Sequence, residues 1–257
     1  MINIAKNTFK EFVRNKILYV ILFVAVSLIF FSIVLSTLAL READKIIIDF
    51  SLSLIELFGL ISTIFLWSYM LYSELSKNTI LLLLSKSPSR SKFILGKFIW
   101  FSLLLLLIYT ILSLAFVLVL FFHWIWFELA YISSIFLSFI KILIVLSIII
   151  FFSTFVSPFI SLLASIAIYI VWHSTSFVKF YLLQTWKVVE WTFNYYLINI
   201  LYYIVPNFHD LSMKEHLTSP FLTNYSLFHI ISSTMVWLIY IAFILIFAIL
   251  IFNKKEF

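Results

Sequence analysis

The sequence predicts an all-α transmembrane fold, a six-helix polytopic bundle preceded by an interfacial amphipathic helix, and three observations support this. Of 257 residues, 65% are hydrophobic and 11% are charged, whereas a soluble domain is about half apolar and a quarter charged. Uncharged runs such as residues 17–40 exceed the roughly 20 residues needed to cross a bilayer. Lysine and arginine are concentrated in alternate connections, as in oriented membrane proteins.

The first element is an amphipathic helix over residues 2–16. Apolar side chains recur along one face at helical spacing, and basic side chains recur every four residues on the opposite face. The residues that define these faces are Lys6, Phe9, Lys10, Phe12 and Arg14. A helix of this kind lies in the membrane interface, where its basic face suits anionic headgroups or a cytoplasmic partner.

Six apolar stretches follow, each read as one membrane span. The predicted spans cover about residues 17–40, 50–72, 98–122, 138–154, 159–177 and 227–252. The fourth is expected to start near residue 138 because Lys141 interrupts the apolar stretch there. The segment 178–224 carries several charges, and its uncharged stretch 191–205 has only 15 residues. We therefore expect surface or re-entrant helices here, which form an outer-leaflet element between spans five and six.

The distribution of basic residues favours six spans over seven. With six spans both termini lie in the cytoplasm, and eleven of the 17 lysines and arginines lie on that side. A seventh span through residues 191–205 would move Lys254 and Lys255 outside and weaken the bias. The sequence thus predicts a multi-pass membrane protein with both termini in the cytoplasm.

Composition also excludes several functions. The formal charge of +6 does not indicate nucleic acid, because basic residues beside spans reflect orientation and anionic lipid. A phosphate-binding P-loop is excluded because the chain has only two glycines, and Gly96-Lys97 lacks the earlier glycine of that motif. The absence of cysteine removes disulfides and thiolate metal sites.

The most polar stretch of the chain, residues 73–97, connects spans two and three. It runs Glu-Leu-Ser-Lys-Asn-Thr from position 74, then a leucine run, then Ser-Pro-Ser-Arg, and enters span three with Gly-Lys-Phe. This pattern resembles the permease subunits of ABC exporters of the second type. Asn78 replaces the glycine usual in that family, and the turn proline, Pro88, falls one place late. Residues 206–208 and 251–257 are similar to permeases associated with multicopper-enzyme maturation.

The resemblance implies that residues 1–257 form a single exporter transmembrane domain in a bacterial or archaeal cytoplasmic membrane. Two such domains, identical or paralogous, would pair, and each would dock a separate ATP-binding subunit that holds ATP and magnesium. The permease itself would have no catalytic residue and no cofactor. The residues of the cytoplasmic docking loop 73–97 that the resemblance assigns to the ATPase contact are Glu74, Thr79, Leu83, Leu84, Lys86, Arg90, Gly96 and Lys97.

The physical properties of residues 80–84 leave two placements open. This apolar run directly follows a polar stretch, so it needs cover from water. It could fill a hydrophobic groove on a partner, with the flanking basic residues steering the encounter. It could instead lie flat in the inner headgroup region, held there by Lys86 and Arg90. The resemblance favours docking on a partner.

Two charged residues fall within predicted spans. Glu56 lies in span two, where an ionisable group is costly and marks a functional-site hypothesis, such as contact with a substrate or a proton. The alternative is a carboxylate in the outer leaflet that pairs with Lys141 or with a polar face of another span. The sequence alone leaves both interpretations open.

A polytopic enzyme acting on a lipid or peptide is the alternative class of function. Such an enzyme needs a convergent set of reactive side chains, and no motif for an intramembrane protease or a metallopeptidase is present. His209 and His216 are seven residues apart and lack the spacing that places two ligands on one helical face. We therefore expect no metal site.

Overall fold

The computed structural model describes residues 16–38, 42–76, 90–185, 208–212 and 227–254. They form six α-helices and one 3₁₀ turn, with no β-strand among these residues. The helices are α1 Lys16–Ser36, α2 Ala43–Ser76, α3 Arg90–Phe122, α4 Leu129–Ser153, α5 Pro158–Thr185 and α6 Leu227–Lys254, and the 3₁₀ turn is Phe208–Leu211. The chain is a multi-pass helical membrane protein.

Five of these helices, α1, α2, α3, α4 and α6, are long and apolar enough to cross a membrane. The fifth helix contains a shorter apolar stretch, Phe159–Thr175. The count of six spans therefore stays a prediction at α5. The interfacial helix 2–16, except its last residue, most of the loop 73–97, and most of segment 178–224 lie outside the described residues.

Two helices begin earlier than the apolar pattern suggested. Helix α2 begins at Ala43, whereas the predicted span begins near residue 50, and Lys45 in its first turn lies with Nζ 2.8 Å from Glu42 Oε1. Helix α4 begins at Leu129 rather than near residue 138. Lys141 is the middle residue of α4 and does not mark its start.

The ends of the helices follow local backbone chemistry. Helix α3 ends in a Schellman motif, in which the Ile125 N–H donates to Leu120 O and the Trp124 N–H donates to Phe121 O. Trp124 takes the left-handed position of that motif with φ 57°, a conformation that most side chains avoid. Helix α5 begins at Pro158, where a missing N–H costs no intrahelical bond.

Helix α4 occupies the centre of the bundle. It packs against α2, α3, α5, α6 and the 3₁₀ turn, and every residue from Ile140 to Ile150 is buried. A helix that is apolar on all faces needs protein or lipid on all sides. Because α4 is surrounded by other helices, its one charged residue, Lys141, requires a partner inside the bundle.

Candidate functional site

The centre of the bundle contains an ion pair between α2 and α4. Lys141 Nζ lies 2.7 Å from Glu56 Oε1, and the two residues are 0% and 6% exposed. Glu56 lies within the apolar part of α2. The pairing that the sequence left as one of two alternatives is therefore present, and it joins the interiors of α2 and α4.

Two hydroxyl groups complete this ion pair. The Tyr169 hydroxyl on α5 donates to Glu56 Oε1 at 2.8 Å, and Lys141 Nζ donates to Ser212 Oγ at 3.0 Å. Hydrogen bonds to charged groups are about twice as strong as neutral ones. We call Glu56, Lys141, Tyr169 and Ser212 the central cluster. It joins α2, α4, α5 and the residue that follows the 3₁₀ turn.

The 3₁₀ turn carries Phe208 into the same region. Its side chain is fully buried, and its ring centroid lies 5.7 Å from that of Tyr169, 5.3 Å from Trp172 and 5.7 Å from Trp237. Lys141 Nζ lies 5.9 Å from the same ring, within cation–π range. Phe208 thus fills the space between α5, α6 and the central cluster.

Two residues of the segment 178–224 lie inside the bundle. The sequence predicted surface or re-entrant helices for this segment, as an outer-leaflet element, and within it Ser212 accepts a hydrogen bond from Lys141 while Phe208 lies beside the same ammonium. Non-helical backbone is tolerated among membrane helices only where protein or water surrounds it. Burial of Phe208 and the hydrogen bond to Ser212 meet that requirement.

A second polar contact lies beside the central cluster. The Tyr109 hydroxyl on α3 is 3.3 Å from Ser138 Oγ and 3.4 Å from Ser138 O on α4. Tyr109 reaches this position because Gly59 on α2 has no side chain: a Cβ there would lie 2.5 Å from the Tyr109 hydroxyl oxygen. Gly59 therefore permits the close approach of α2 and α3 next to Glu56.

An apolar groove lies between α5 and α6, with α4 as its floor. Its volume is about 340 Å³, and its lining is rich in aromatic side chains. Trp172 and Tyr240 approach each other across it, with ring centroids 6.0 Å apart. Phe243 and Phe247 line it while remaining partly exposed on the outside of the bundle. The groove is therefore open to the apolar surroundings of the bundle.

The residues predicted for docking are only partly described. Glu74 lies in the last turn of α2, Arg90 is the first residue of α3, and Gly96 and Lys97 follow within α3. The interfacial-helix residues Lys6, Phe9, Lys10, Phe12 and Arg14 lie outside the described part, as do the predicted docking residues Thr79, Leu83, Leu84 and Lys86. Their role in docking stays a prediction.

The Lys97 side chain lies among aromatic rings near the first turns of α3. Its Nζ is 4.2 Å from the centroid of Phe93 and 5.9 Å from that of Trp67 on α2. Trp67 also packs against Phe101, with ring centroids 5.7 Å apart. Lys97 thus helps to join α2 and α3 close to the predicted docking loop.

Tyr169 and Ser212 are site residues that the sequence analysis missed. The sequence does contain a signal for Tyr169, since Ser161, Ser165, Tyr169 and His173 recur every four residues and so share one face of α5. Ser212 has no comparable signal. It belongs to a short turn whose position depends on contacts far along the chain.

No group of three or more His, Cys, Asp or Glu residues that could hold a metal ion is found in the described part of the chain. His209 lies in the 3₁₀ turn and His216 lies outside the described residues. No protein-family model matches the chain, and no curated protein sequence matches it.

Proposed function

We propose that this chain is the permease subunit of an ATP-driven exporter of the ABC type, with separate ATP-binding subunits. The observation that carries the proposal is the sequence of residues 73–97, which resembles the corresponding loop of ABC exporters of the second type. The multi-pass helical bundle is compatible with that role. The proposal includes a cytoplasmic location for this loop and for both chain termini.

The helices on either side of the loop support the docking role. Helix α2 continues as far as Ser76, and α3 begins at Arg90. The two helices pack against each other, so a force applied to the connecting residues 77–89 reaches the bundle through two joined helices. Such rigid coupling suits a transporter in which nucleotide closure drives a rigid-body motion.

Co-purification in mild detergent tests the proposal. The native chain should retain an ATPase subunit that carries a Walker motif. Arg90→Glu and Leu83→Asp should release that subunit, because the first reverses a steering charge and the second places a charge in an apolar contact. Lys45→Glu is the matched control, since it reverses a charge on the predicted opposite side of the membrane. Absence of any ATPase from the native preparation would reject the proposal.

One contact favours the alternative of a polytopic enzyme. Lys141 Nζ lies 3.0 Å from Ser212 Oγ, and lysine acts as the base toward a nucleophilic serine in some hydrolases. Here, however, Lys141 donates its hydrogen bond to Ser212 and also donates to Glu56. The adjacent cavity, about 10 Å³, is far too small for a lipid or peptide bond to approach the serine. The exporter is therefore the better supported function.

A serine-directed fluorophosphonate probe distinguishes the two functions. We expect no labelling of Ser212 in the native chain and no loss of transport in Ser212→Ala, provided that the variant folds. Labelling of the native chain that disappears in Ser212→Ala would instead establish a reactive serine and favour the enzyme.

A further inference from the structure

A small cavity lies beside the central cluster, where α2, α4 and the 3₁₀ turn meet. Its volume is about 10 Å³. Four polar residues contribute to its wall, and they come from three separate elements. These residues are Glu56 from α2, Ser134 and Ser138 from α4, and Ser212 after the 3₁₀ turn. All four are buried, with exposures of 5–7%.

Size and charge together identify the occupant of this cavity. A small polar cavity can hold one water molecule, which needs two to four polar partners. A cation is disfavoured because the Lys141 ammonium already lies 2.7 Å from Glu56 Oε1. An anion is disfavoured by the Glu56 carboxylate, and an apolar group is disfavoured because four polar residues contribute to the wall.

We propose that this cavity is a binding site for a single water molecule that bridges Glu56, the α4 serines and Ser212. Such a water connects the central cluster to the Tyr109–Ser138 contact, because Ser138 lines the cavity and also bonds to Tyr109. The polar network then runs from α3 through α4 to α2, α5 and the 3₁₀ turn. Buried waters of this kind make about three hydrogen bonds and are costly to remove.

The water also explains how the 3₁₀ turn is held inside the bundle. Ser212 makes a direct hydrogen bond to Lys141 on one side and faces the cavity on the other. A bridging water connects the turn to α2 as well as to α4. This site does not depend on the proposed transport function, since it follows from the geometry of the cavity alone.

Synchrotron hydroxyl-radical footprinting of the full chain in detergent tests the proposal. Radicals generated from a bound water oxidise the side chains next to it even when bulk solvent does not reach them. Leu52, Ile55 and Leu211 line the cavity and are 4%, 0% and 1% exposed. We expect oxidation of these three, and none above background at Ile144 and Ile149, which are equally buried in α4 but away from the cavity.

Two variants test whether the oxidation comes from a water in this cavity. Ser134→Val fills the cavity with methyl groups and should abolish oxidation at Leu52, Ile55 and Leu211. Ser133→Val makes the same chemical change one residue earlier, at a position that does not line the cavity, and should leave oxidation unchanged. If Ser134→Val does not fold, Leu52→Phe fills the cavity from α2, with Ile55 and Leu211 as the reporters.

Two results would overturn the proposal. The first is the absence of oxidation at all three lining residues in the native chain. The second is oxidation that persists after the cavity has been filled in a folded variant, because the radicals would then come from another source. Oxidation that is lost on filling and retained in Ser133→Val supports the bound water.

Discussion

Removal of Lys141 should destabilise the bundle by about 3 kcal/mol. Breaking a buried ion pair on one side costs about 3–5 kcal/mol, because the remaining charge stays buried without its partner. In Lys141→Met, Glu56 keeps the hydrogen bond from Tyr169 at 2.8 Å, so we expect the lower end of that range. At 1.36 kcal/mol per factor of ten, the unfolding equilibrium should shift by roughly two powers of ten.

The assay is unfolding of the purified chain in mixed micelles with increasing SDS, followed by tryptophan fluorescence. Lys45→Met is the matched control: Lys45 also pairs with a glutamate, Glu42 at 2.8 Å, but the two side chains are 38% and 64% exposed. Such surface pairs contribute about 0–1 kcal/mol. The double variant Glu56→Gln/Lys141→Met removes both charges, so it should cost less than the sum of the single changes.

Two outcomes would refute this reasoning. Lys141→Met could lower the free energy of unfolding no more than Lys45→Met does, in which case the buried pair stabilises the chain no more than the exposed pair. The double variant could cost as much as the two single variants together, in which case Glu56 and Lys141 are not coupled. Residues in contact usually show a coupling energy of about 0.5–3 kcal/mol. Comparison of the two single variants with the double variant measures that energy for Glu56 and Lys141.

Three further predictions use the same chain. Gly59→Ala should destabilise it by about 1–3 kcal/mol, because the new Cβ would lie 2.5 Å from the Tyr109 hydroxyl oxygen in a tightly packed interface; SDS unfolding measures this. Phe208→Ala should lower the free energy of unfolding by about 3–5 kcal/mol in the same assay, since it leaves a cavity between Trp172 and Trp237. Cysteines introduced singly at Ser87 and Lys187 of this cysteine-free chain should react with an impermeant maleimide from opposite sides of the membrane.

Each of these predictions has its own control. Ser68→Ala, also in α2 but half-buried, should change stability little, and an equal loss there would mean that Gly59 is not special. Phe121→Ala removes a ring that is 70% exposed. A loss of stability as large as that of Phe208→Ala would mean that the burial of Phe208 does not stabilise the bundle. Reaction of both cysteines from the same side would contradict the six-span topology.

The helices could be located from the sequence because hydropathy acts locally. A stretch of about 20 apolar residues is stable in a bilayer whatever its neighbours are, so each predicted span overlaps a described helix. Helices α2 and α4 begin before the predicted spans. Charges such as Asp44 and Lys141 interrupt an apolar pattern without ending a helix, provided that water or another side chain compensates them.

The central cluster was only half predictable for a physical reason. Glu56 and Lys141 stand out because a lone charge in an apolar span is costly, and two opposite charges in different spans suggest each other as partners. Tyr169 and Ser212 carry no charge: Tyr169 is marked only by its place on one polar face of α5, and Ser212 is not marked at all. Tyr169 lies 113 positions along the chain from its partner Glu56, and Ser212 lies 71 positions from its partner Lys141. Both contacts therefore depend on how distant parts of the chain pack.

A charge in the middle of a membrane bundle is by default a functional-site hypothesis, and the geometry here narrows that hypothesis. Lys141 is completely buried, its ammonium is already bonded to Glu56 and Ser212, and Phe208 covers the cluster. Among the described residues, the 3₁₀ turn and the residue after it lie directly against these charges. The cluster is therefore better suited to fix that turn in the bundle than to contact a passing molecule. If the chain exports a substrate, its path should follow another surface, and the apolar groove of about 340 Å³ between α5 and α6 is open where the central cluster is closed.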